Sequence, residues 1–249
     1  MKFYIKFIIL IFFSTSIYAE EKYEIEIISE NILVGRNIIK HSWVNIEYKG
    51  YFENGDIFDT NIGKDKPLVV QMNMKEVIPG FEKGLIGLTE GSTRIFKIPP
   101  QLAYGEAGAG ELIPPNAVLN FEINILGVID PGYKTISNEE LLSMIGNNAI
   151  VIDMRTKAEW EATGIIKGSF PLTAFAKDGK FNTYFMDQTR TLAGEDAQDV
   201  KIIFISDDGE TASILANAFS EDLGFSAVHI LDKGIKGWLN DNREVGDYK

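Results

Sequence analysis

The change of hydrophobic pattern at Asp130-Pro131-Gly132 constrains the fold of this chain more than any other feature. Before this cluster, short segments alternate apolar and polar residues, as half-buried strands do. After it, short and wholly apolar runs alternate with segments that have the apolar spacing of helices, as in a domain built on a buried parallel sheet. Because proline and glycine together break regular structure, we place a domain boundary there.

The first part, from about residue 20 to residue 130, reads as an α+β domain in which an antiparallel sheet wraps one short helix. Asn54-Gly55 is a hairpin turn signal between two strand patterns. The helix is expected to begin near Pro79, because proline is favoured at the first helical position. The predicted strands are Tyr23–Ile28, Val44–Tyr48, Ile57–Asp59, Pro67–Met72, Thr93–Ile98 and Val118–Ile125.

Two loop segments of this part carry unusual side chains. Val77–Phe81 and the run from Ala103 to Pro115 place apolar and aromatic residues beside glycine and proline, where a chain normally turns polar groups to water. This pattern predicts a rigid apolar cup at one end of the helix. Each aromatic residue taken alone is more often part of a core. Only the joint pattern favours a pocket.

The joint pattern resembles the FKBP-type peptidyl-prolyl isomerases, with the landmarks in order and at the family's spacing. The resemblance rests on Val44-x-Ile46-x-Tyr48-x-Gly50, Gly55-x-x-Phe58-Asp59, Val77–Phe81, Gly84, Gly91, Ala103-Tyr104-Gly105, Ile113–Asn116 and Leu119-x-Phe121. It implies an enzyme that turns X-Pro peptide bonds in an apolar pocket, with no cofactor and no metal. The partners that it implies are unfolded or partly folded polypeptides that contain proline.

Carried over position by position, the resemblance also implies a set of site residues. The implied catalytic positions are Phe58, Asp59, Ile78 and Tyr104. The implied substrate-binding positions are Tyr48, Val77, Phe81, Ile113 and Phe121. In this scheme the Ile78 N–H and the Tyr104 hydroxyl hold substrate carbonyls, and Tyr48 steadies Asp59 beside the twisting amide.

Three positions depart from the family's pattern. Phe81 stands where tryptophan is common, Leu68 replaces an aromatic rim residue, and Ala109 replaces a larger side chain in a loop. Gly108 and Gly110 are expected to loosen that loop further. We expect these departures to change substrate preference more than basic activity.

The second part, residues 134–249, reads as an α/β domain with a parallel sheet. Ser137 is the expected N-cap of its first helix. The predicted strands are Ala149–Ile152, Lys201–Ile205 and Ala227–Leu231. One predicted helix starts at Ser137. The other predicted helices are Lys157–Thr163, Thr211–Leu223 and one that begins with Gly234–Leu239. This part resembles the rhodanese-like domain through Val151–Thr156, Glu159-Trp160, Gly164–Ser169 and Leu231–Trp238.

The segment after its central strand departs from an active rhodanese. The resemblance implies a nucleophilic cysteine there, and Ser206 occupies the position in a chain without cysteine. A serine hydroxyl does not form a persulfide, so we expect no sulfurtransferase activity. The acids that follow, Asp207, Asp208 and Glu210, would also repel an anionic sulfur donor.

The role of that acidic loop is left open by the sequence. It could recruit a basic partner or a cation such as Ca²⁺, although a solvated acidic loop is the more common case. Arg155 could pair with these acids inside the fold.

The start of the chain, Met1–Ala19, has the layout of a secretory signal peptide. Lys2 and Lys6 precede the apolar run Phe7–Phe13, which is too short to span a bilayer comfortably. An uncleaved membrane anchor is the alternative. We expect an exported protein of the bacterial periplasm, without stable membrane insertion after cleavage.

Composition excludes several classes of function. The net charge of −12 and the lack of a basic stripe argue against nucleic acid as a partner. Two histidines and no cysteine leave no His- or Cys-rich metal site. The sequence therefore favours an exported folding isomerase. The alternative is a non-catalytic periplasmic chaperone or scaffold, and a sulfur-handling enzyme is disfavoured by Ser206.

Overall fold

A computed structural model describes residues 23–194 and 199–248 of the chain. The signal-peptide prediction for Met1–Ala19 lies outside these residues. The described chain forms two compact units that divide between Pro131 and Gly132. Within the described ranges, no helix combines the length and the apolar character needed to cross a membrane.

The first unit is an antiparallel sheet with one short α-helix, as predicted. Its strands are β1 (Glu26–Asn31), β2 (Trp43–Tyr51), β3 (Ile57–Thr60), β4 (Leu68–Gln71), β5 (Thr93–Ile98) and β6 (Leu119–Ile129). The order is β1-β5-β6-β2-β3, and β4 pairs with β2. The helix α1 (Pro79–Leu85) begins at the predicted proline. Its core contains fifteen fully or nearly fully buried apolar side chains. Examples are Val44, Phe81, Leu85 and Phe96.

Two glycines let α1 lie close against side chains of β5. A Cβ on Gly80 would come within 2.2 Å of the Ile98 Cγ2 atom, and one on Gly84 within 2.3 Å of the Phe96 Cζ atom. Real Cβ atoms do not approach so closely, so the helix can lie this near to β5 only because both positions are glycine. The close contact fixes the position of the residues at the start of α1.

The predicted first strand is displaced along the chain. The sequence predicts Tyr23–Ile28, whereas β1 covers Glu26–Asn31 and pairs with β5. The register shifts between Ile27 and Ser29, and both Ile27 and Ile28 are exposed. The bulge breaks the alternation on which the prediction was based.

The second unit is an α/β domain with a wholly parallel sheet, as predicted. Its strands are β7 (Tyr133–Ile136), β8 (Ala149–Asp153), β9 (Phe170–Pro171), β10 (Lys201–Ile205) and β11 (Val228–Leu231), in the order β7-β11-β10-β8-β9. Its α-helices are α2 (Asn138–Met144), α3 (Lys157–Thr163), α4 (Tyr184–Ala193), α5 (Glu210–Asn217) and α6 (Gly234–Asn240).

The start of α2 follows the sequence closely. Ser137 is the N-cap, and its Oγ accepts a hydrogen bond from the Glu140 N–H at 3.2 Å. The Glu140 carboxylate accepts a hydrogen bond from the Ser137 N–H at 2.7 Å, which completes a capping box.

The prediction of a helix over Thr211–Leu223 is correct in type but not in its bounds. The α-helix ends at Asn217, and one π-helical turn, Ala218–Asp222, continues it.

Candidate functional site

Four aromatic rings gather at one end of the first unit, and each comes from a different element. Tyr48 lies on β2, Phe58 on β3, Phe81 on α1 and Phe121 on β6. The ring of Phe121 meets Phe81 at 5.0 Å and Phe58 at 5.6 Å between centroids, edge to face in both cases. Tyr48 meets Phe81 at 6.1 Å, also edge to face. Such contacts hold aromatic rings in fixed relative orientations.

Gly50 on β2 provides the space for two of these rings. A Cβ at this position would lie 2.6 Å from the Phe58 Cζ atom and 3.0 Å from the Phe121 Cε1 atom. No other residue therefore fits there without displacing the rings. This steric requirement explains why the sequence pattern has a glycine at position 50, two residues after Tyr48.

Two further rings surround the cluster, and the sequence analysis did not single them out. Phe96 on β5 stacks on Phe121 at 5.9 Å, and Phe52 packs on Phe58 at 5.1 Å. Phe52 lies two residues before Asn54 of the turn, and Phe58 follows that turn on the next strand. A hairpin turn at Asn54-Gly55 is the sequence signal that could have placed these two rings side by side.

A carboxylate lies at the edge of the aromatic cluster. The Tyr48 hydroxyl donates to the Asp59 Oδ2 atom at 2.5 Å. The Asp59 side chain is 51% exposed, and the Lys64 Nζ atom lies 3.9 Å from its other oxygen. Burial raises the pKa of Tyr48 well above its ordinary value, and the hydrogen bond to Asp59 adds to the rise. Tyr48 therefore stays a neutral donor, and Asp59 remains within reach of a ligand.

Val77 and Ile78 lie on the loop that enters α1, half-buried against the core. The loop is held at its base, because the Glu76 carboxylate accepts a hydrogen bond from the Gln71 N–H at 2.9 Å. The Ile78 carbonyl accepts the first helical bond, from the Phe81 N–H at 3.0 Å. The Ile78 N–H has no hydrogen-bond acceptor in residues 23–194 or 199–248, so it can donate to a bound carbonyl.

Tyr104 and Ile113 come from the loop between β5 and β6. Ile113 is buried in the core, whereas Tyr104 is 42% exposed as a residue. Ala109 and Ile113 exchange two backbone hydrogen bonds, at 2.9 and 3.0 Å. Gly108 has φ of 65°, and a Cβ there would lie 2.3 Å from the Ile113 carbonyl oxygen. The expectation of a loosened loop is therefore wrong for Gly108, which is required by a tight and hydrogen-bonded turn.

The second unit contains the segment in which serine replaces the expected cysteine. Ser206 follows β10 and is 3% exposed. Its Oγ accepts hydrogen bonds from the Gly209 N–H at 3.0 Å and from the Ala212 N–H at 3.3 Å. The hydroxyl thus occupies amide donors that could otherwise face a ligand. In a chain without cysteine, no persulfide can form at this position.

Arg155 does not pair with the acidic loop, which was the possibility that the sequence raised. Its guanidinium donates to both carboxylate oxygens of Asp153, at 2.9 and 2.7 Å, and this pair is almost fully buried. The remaining donors reach the Thr163 hydroxyl and the Gly164 carbonyl. A buried Asp153 carboxylate without this partner would strongly destabilise the fold. This explains why Arg155 pairs with Asp153 rather than with the acidic loop.

The acidic loop is only partly neutralised. The Asp207 carboxylate pairs with the Lys236 Nζ atom at 2.5 Å, and both side chains are about half exposed. One Asp208 oxygen accepts the Glu210 N–H at 3.0 Å. Across the described parts of the chain, no three acidic, histidine or cysteine side chains are grouped in a way that would hold a metal ion.

Comparison with known proteins assigns a family model to each unit. Residues 35–126 match the model of the FKBP-type peptidyl-prolyl cis-trans isomerase, and residues 137–241 match that of the rhodanese-like domain. The FK506-binding protein of Neisseria meningitidis serogroup A is 36% identical over 96 residues, which are 39% of this chain and 88% of that protein. The peptidyl-prolyl cis-trans isomerase Mip of Chlamydia pneumoniae is 43% identical over 81 residues, which are 32% of this chain and 30% of Mip.

Two solved structures are each similar to part of the chain. The crystal structure of AtFKBP13 is 34% identical and covers 39% of this chain and 87% of its own, with a TM-score of 0.37. That of FkpA from Escherichia coli is 34% identical and covers 42% of this chain and 46% of its own, with the same TM-score of 0.37.

Proposed function

The chain belongs, through residues 35–126, to the FKBP-type peptidyl-prolyl cis-trans isomerases, and we propose that it is an exported isomerase that assists the folding of proline-containing polypeptides. The observation that carries the proposal is the cup of four aromatic rings with the Tyr48–Asp59 pair at its edge. This combination offers an apolar site for a proline ring and polar groups for the flanking amide.

Rotation about an X-Pro bond needs no nucleophile and no proton transfer. The barrier, about 18–20 kcal/mol for peptide bonds in general, arises from amide resonance. An environment that stabilises the twisted amide more than the planar one therefore accelerates the reaction. A dry apolar cup does this, because it removes the water that stabilises the charge-separated planar form.

We assign the roles within the cup as follows. The rings of Phe58, Phe81 and Phe121 hold the proline ring, together with Val77 and the buried Ile113 below them. These side chains exclude water and fix the ring while the preceding peptide bond turns.

Three polar groups act on the flanking amides. The Ile78 N–H and the exposed Tyr104 hydroxyl donate to substrate carbonyls. Asp59 orients the twisting amide, and the neutral Tyr48 hydroxyl holds that carboxylate in place. The neighbouring Lys64 Nζ atom, 3.9 Å away, tempers the charge of Asp59.

We assign no catalysis to the rhodanese-like domain. Ser206 replaces the sulfur nucleophile, and its hydroxyl already accepts two loop amides. The domain contributes binding or architecture. Sulfur transfer from thiosulfate to cyanide above a protein-free blank would contradict this assignment.

Export rests on the leader pattern of Met1–Ala19. We place the mature protein in the periplasm, with Glu20 as its first residue. The intact mass of the protein recovered from a periplasmic extract tests this, because retention of Met1 in a membrane fraction would show an anchor.

Refolding of one client in two versions tests the proposed function. The first version folds through a slow proline-limited phase, and in the second the responsible proline is replaced. We expect the full chain to accelerate the slow phase of the first version and to leave the second unchanged. A non-catalytic chaperone would suppress aggregation of both versions equally, without changing the slow phase. Ser206→Ala serves as the control and should retain the full effect.

A further inference from the structure

A cleft of about 540 Å³ lies in the rhodanese-like domain beside Ser206. It is formed where the chain leaves two neighbouring parallel strands, after β8 at Met154 and after β10 at Ser206. The carboxyl ends of parallel strands are where ligands bind in sheets of this kind. Its size suits a few side chains or a small molecule. The cleft therefore remains although the nucleophile is absent.

The cleft no longer suits an anion. The Gly209 and Ala212 amides donate to the Ser206 hydroxyl rather than into the cleft. The guanidinium of Arg155 is turned into a buried pair with Asp153. These two amides and the Arg155 guanidinium, which could otherwise hold a sulfur or phosphorus oxyanion, are thus engaged inside the protein.

The surface of the cleft is largely apolar. The apolar residues that line it are Met154, Ala158, Ala162, Phe175, Ala176 and Ile214. Phe175 belongs to a small hairpin whose two rings, Phe175 and Phe181, pack at 5.4 Å. Ile214 is 38% exposed, so its side chain is accessible at the wall of the cleft. This lining fits apolar side chains of a ligand.

The charges at the mouth are divided between two sides. On the side of the Ser206 loop, Asp207 lines the cleft, and the exposed Asp208 and Glu210 follow it. Lys236 pairs with Asp207 and also interacts electrostatically with Asp208 and Glu159. On the hairpin side, the exposed Lys177 lines the cleft, and Lys180 of the same hairpin pairs with Asp178. The acids exceed the bases on the loop side, so that side attracts a cation.

The last charged group of the lining is Glu159. Its carboxylate accepts hydrogen bonds from the Thr156 N–H and hydroxyl, at 2.7 and 2.6 Å, and so closes the capping box of α3. These hydrogen bonds hold the Glu159 carboxylate in place, where it adds negative charge to the cleft.

From this arrangement we propose that the cleft binds a polypeptide segment in which a lysine or arginine lies among apolar residues. The apolar side chains enter the lined interior. The basic side chain extends along the loop side and ends near Asp207 and Asp208, as long basic side chains do when their stems cover apolar surface. The second domain is then a peptide-binding module that has kept the position of a former catalytic site. The proposal does not depend on the isomerase pocket.

The test uses the full chain and two labelled peptides without proline, so that the isomerase pocket is not addressed. One peptide alternates leucine with lysine, and the other alternates leucine with glutamate. Binding is followed by fluorescence anisotropy at about 0.15 M salt, where long-range attraction is screened. We expect the lysine peptide to bind saturably and the glutamate peptide not to bind. The absence of saturable binding of the lysine peptide would overturn the proposal.

Three variants locate the site. Ala162→Trp fills the cleft and should weaken binding at least about tenfold, since it displaces one apolar side chain of the ligand. Asp208→Asn keeps the oxygen that accepts the Glu210 N–H and should weaken binding about two- to fivefold. Lys177→Gln should tighten binding by a similar factor.

Asp187→Asn is the matched control for net charge. Asp187 is exposed on α4 and does not line the cleft. An equal effect of this change and of Asp208→Asn would show attraction to the whole acidic protein and would contradict the proposed site. Unaltered binding in Ala162→Trp would contradict it as well. If Ala162→Trp fails to fold, the opposite shifts of Asp208→Asn and Lys177→Gln still decide.

Discussion

Gly50 is the residue on which the shape of the aromatic cup depends most directly. A Cβ there would meet Phe58 at 2.6 Å and Phe121 at 3.0 Å. Gly50→Ala should therefore displace both rings and cost about 1–3 kcal/mol of unfolding free energy, as overpacking does. If the same free energy is lost in the transition state, the isomerase kcat/KM should fall about 5- to 150-fold.

Gly127→Ala is the control for this prediction. Gly127 is on β6 of the same sheet, and a Cβ there would find its nearest atom at 3.4 Å, in the Asn45 side chain. Its melting temperature and kcat/KM should stay close to those of the wild type. Equal activity in Gly50→Ala and Gly127→Ala would show that the cup does not require this space.

Single residues also show where the sequence was sufficient and where it was not. The pattern singled out Tyr48, Phe58 and Phe121, and the structure brings their rings together, because each is fixed by strand register. The partner of Arg155 could not be predicted from the sequence. The sequence raised only the loop acids as partners of Arg155. Its pairing with Asp153 depends on burial, which only the packed structure shows.

At the scale of elements, Arg94 on β5 connects three segments of the first unit. Its guanidinium donates to the Gly84 and Ile86 carbonyls at the end of α1, each at 2.9 Å. It also pairs with Glu30 on β1 at 2.6 Å, and the Arg94 side chain is only 5% exposed. Helix ends that are buried need partners for their last carbonyls. Arg94 thus holds both the helix and the edge strand.

Arg94→Met should destabilise the first unit, since it removes charge-assisted hydrogen bonds and leaves two carbonyls without donors. We expect a loss of about 1.5–3 kcal/mol in urea unfolding. Lys97→Met is the control on the same strand. Its Nζ atom lies 3.8 Å from both Glu26 and Glu53, an exposed arrangement that contributes at most about 1 kcal/mol. Comparable losses in the two variants would contradict the role of Arg94.

The elements that sequence reasoning missed share a physical cause. The strand β7 begins two residues after the Pro131 break, and β9 has only two residues, so neither shows a periodic pattern of useful length. The helix α4 buries only Phe185 and Thr189 among its side chains, which is too narrow an apolar stripe to stand out. The longer runs, such as β5 and β10, were predicted to the residue because burial makes their pattern continuous.

At the scale of the whole molecule, alkaline pH should destabilise the protein through its buried tyrosines. Burial raises the pKa of Tyr133 from 10.0 to about 12, Glu210 adds to the rise, and a hydrogen bond with Ser213 opposes it. A group whose pKa is higher in the folded chain stabilises fully below the unfolded pKa and loses this effect as pH rises. Stability should thus fall between about pH 10 and about pH 12.

Urea unfolding, followed by a probe of the second unit at pH 9 and at pH 11, measures this effect. Tyr133→Phe should reduce the difference in unfolding free energy between the two pH values. Lysines ionise in the same pH range, but their contribution to the unfolding free energy is the same in both proteins and cancels in the comparison. An unchanged difference in Tyr133→Phe would show that this tyrosine does not couple folding to pH.

The whole chain combines an isomerase domain with a rhodanese-like domain that cannot transfer sulfur. Each unit has its own core and its own candidate site. Changes at Ser206 should therefore leave isomerase activity intact, and changes at Asp59 should leave the cleft beside Ser206 intact. Both folds could be predicted from the sequence, because each domain has its own hydrophobic pattern. The sequence could not reveal the cleft, which arises from elements far apart in the chain.

The central claim is that the aromatic cup of the first domain catalyses rotation of X-Pro bonds. The most direct measurement is the cis–trans exchange rate of an X-Pro test peptide with the full chain, followed by exchange spectroscopy. We predict a rate proportional to protein concentration, reduced strongly in Phe58→Ala and Asp59→Leu and unchanged in Ser206→Ala. A wild-type rate equal to the uncatalysed background would contradict the account.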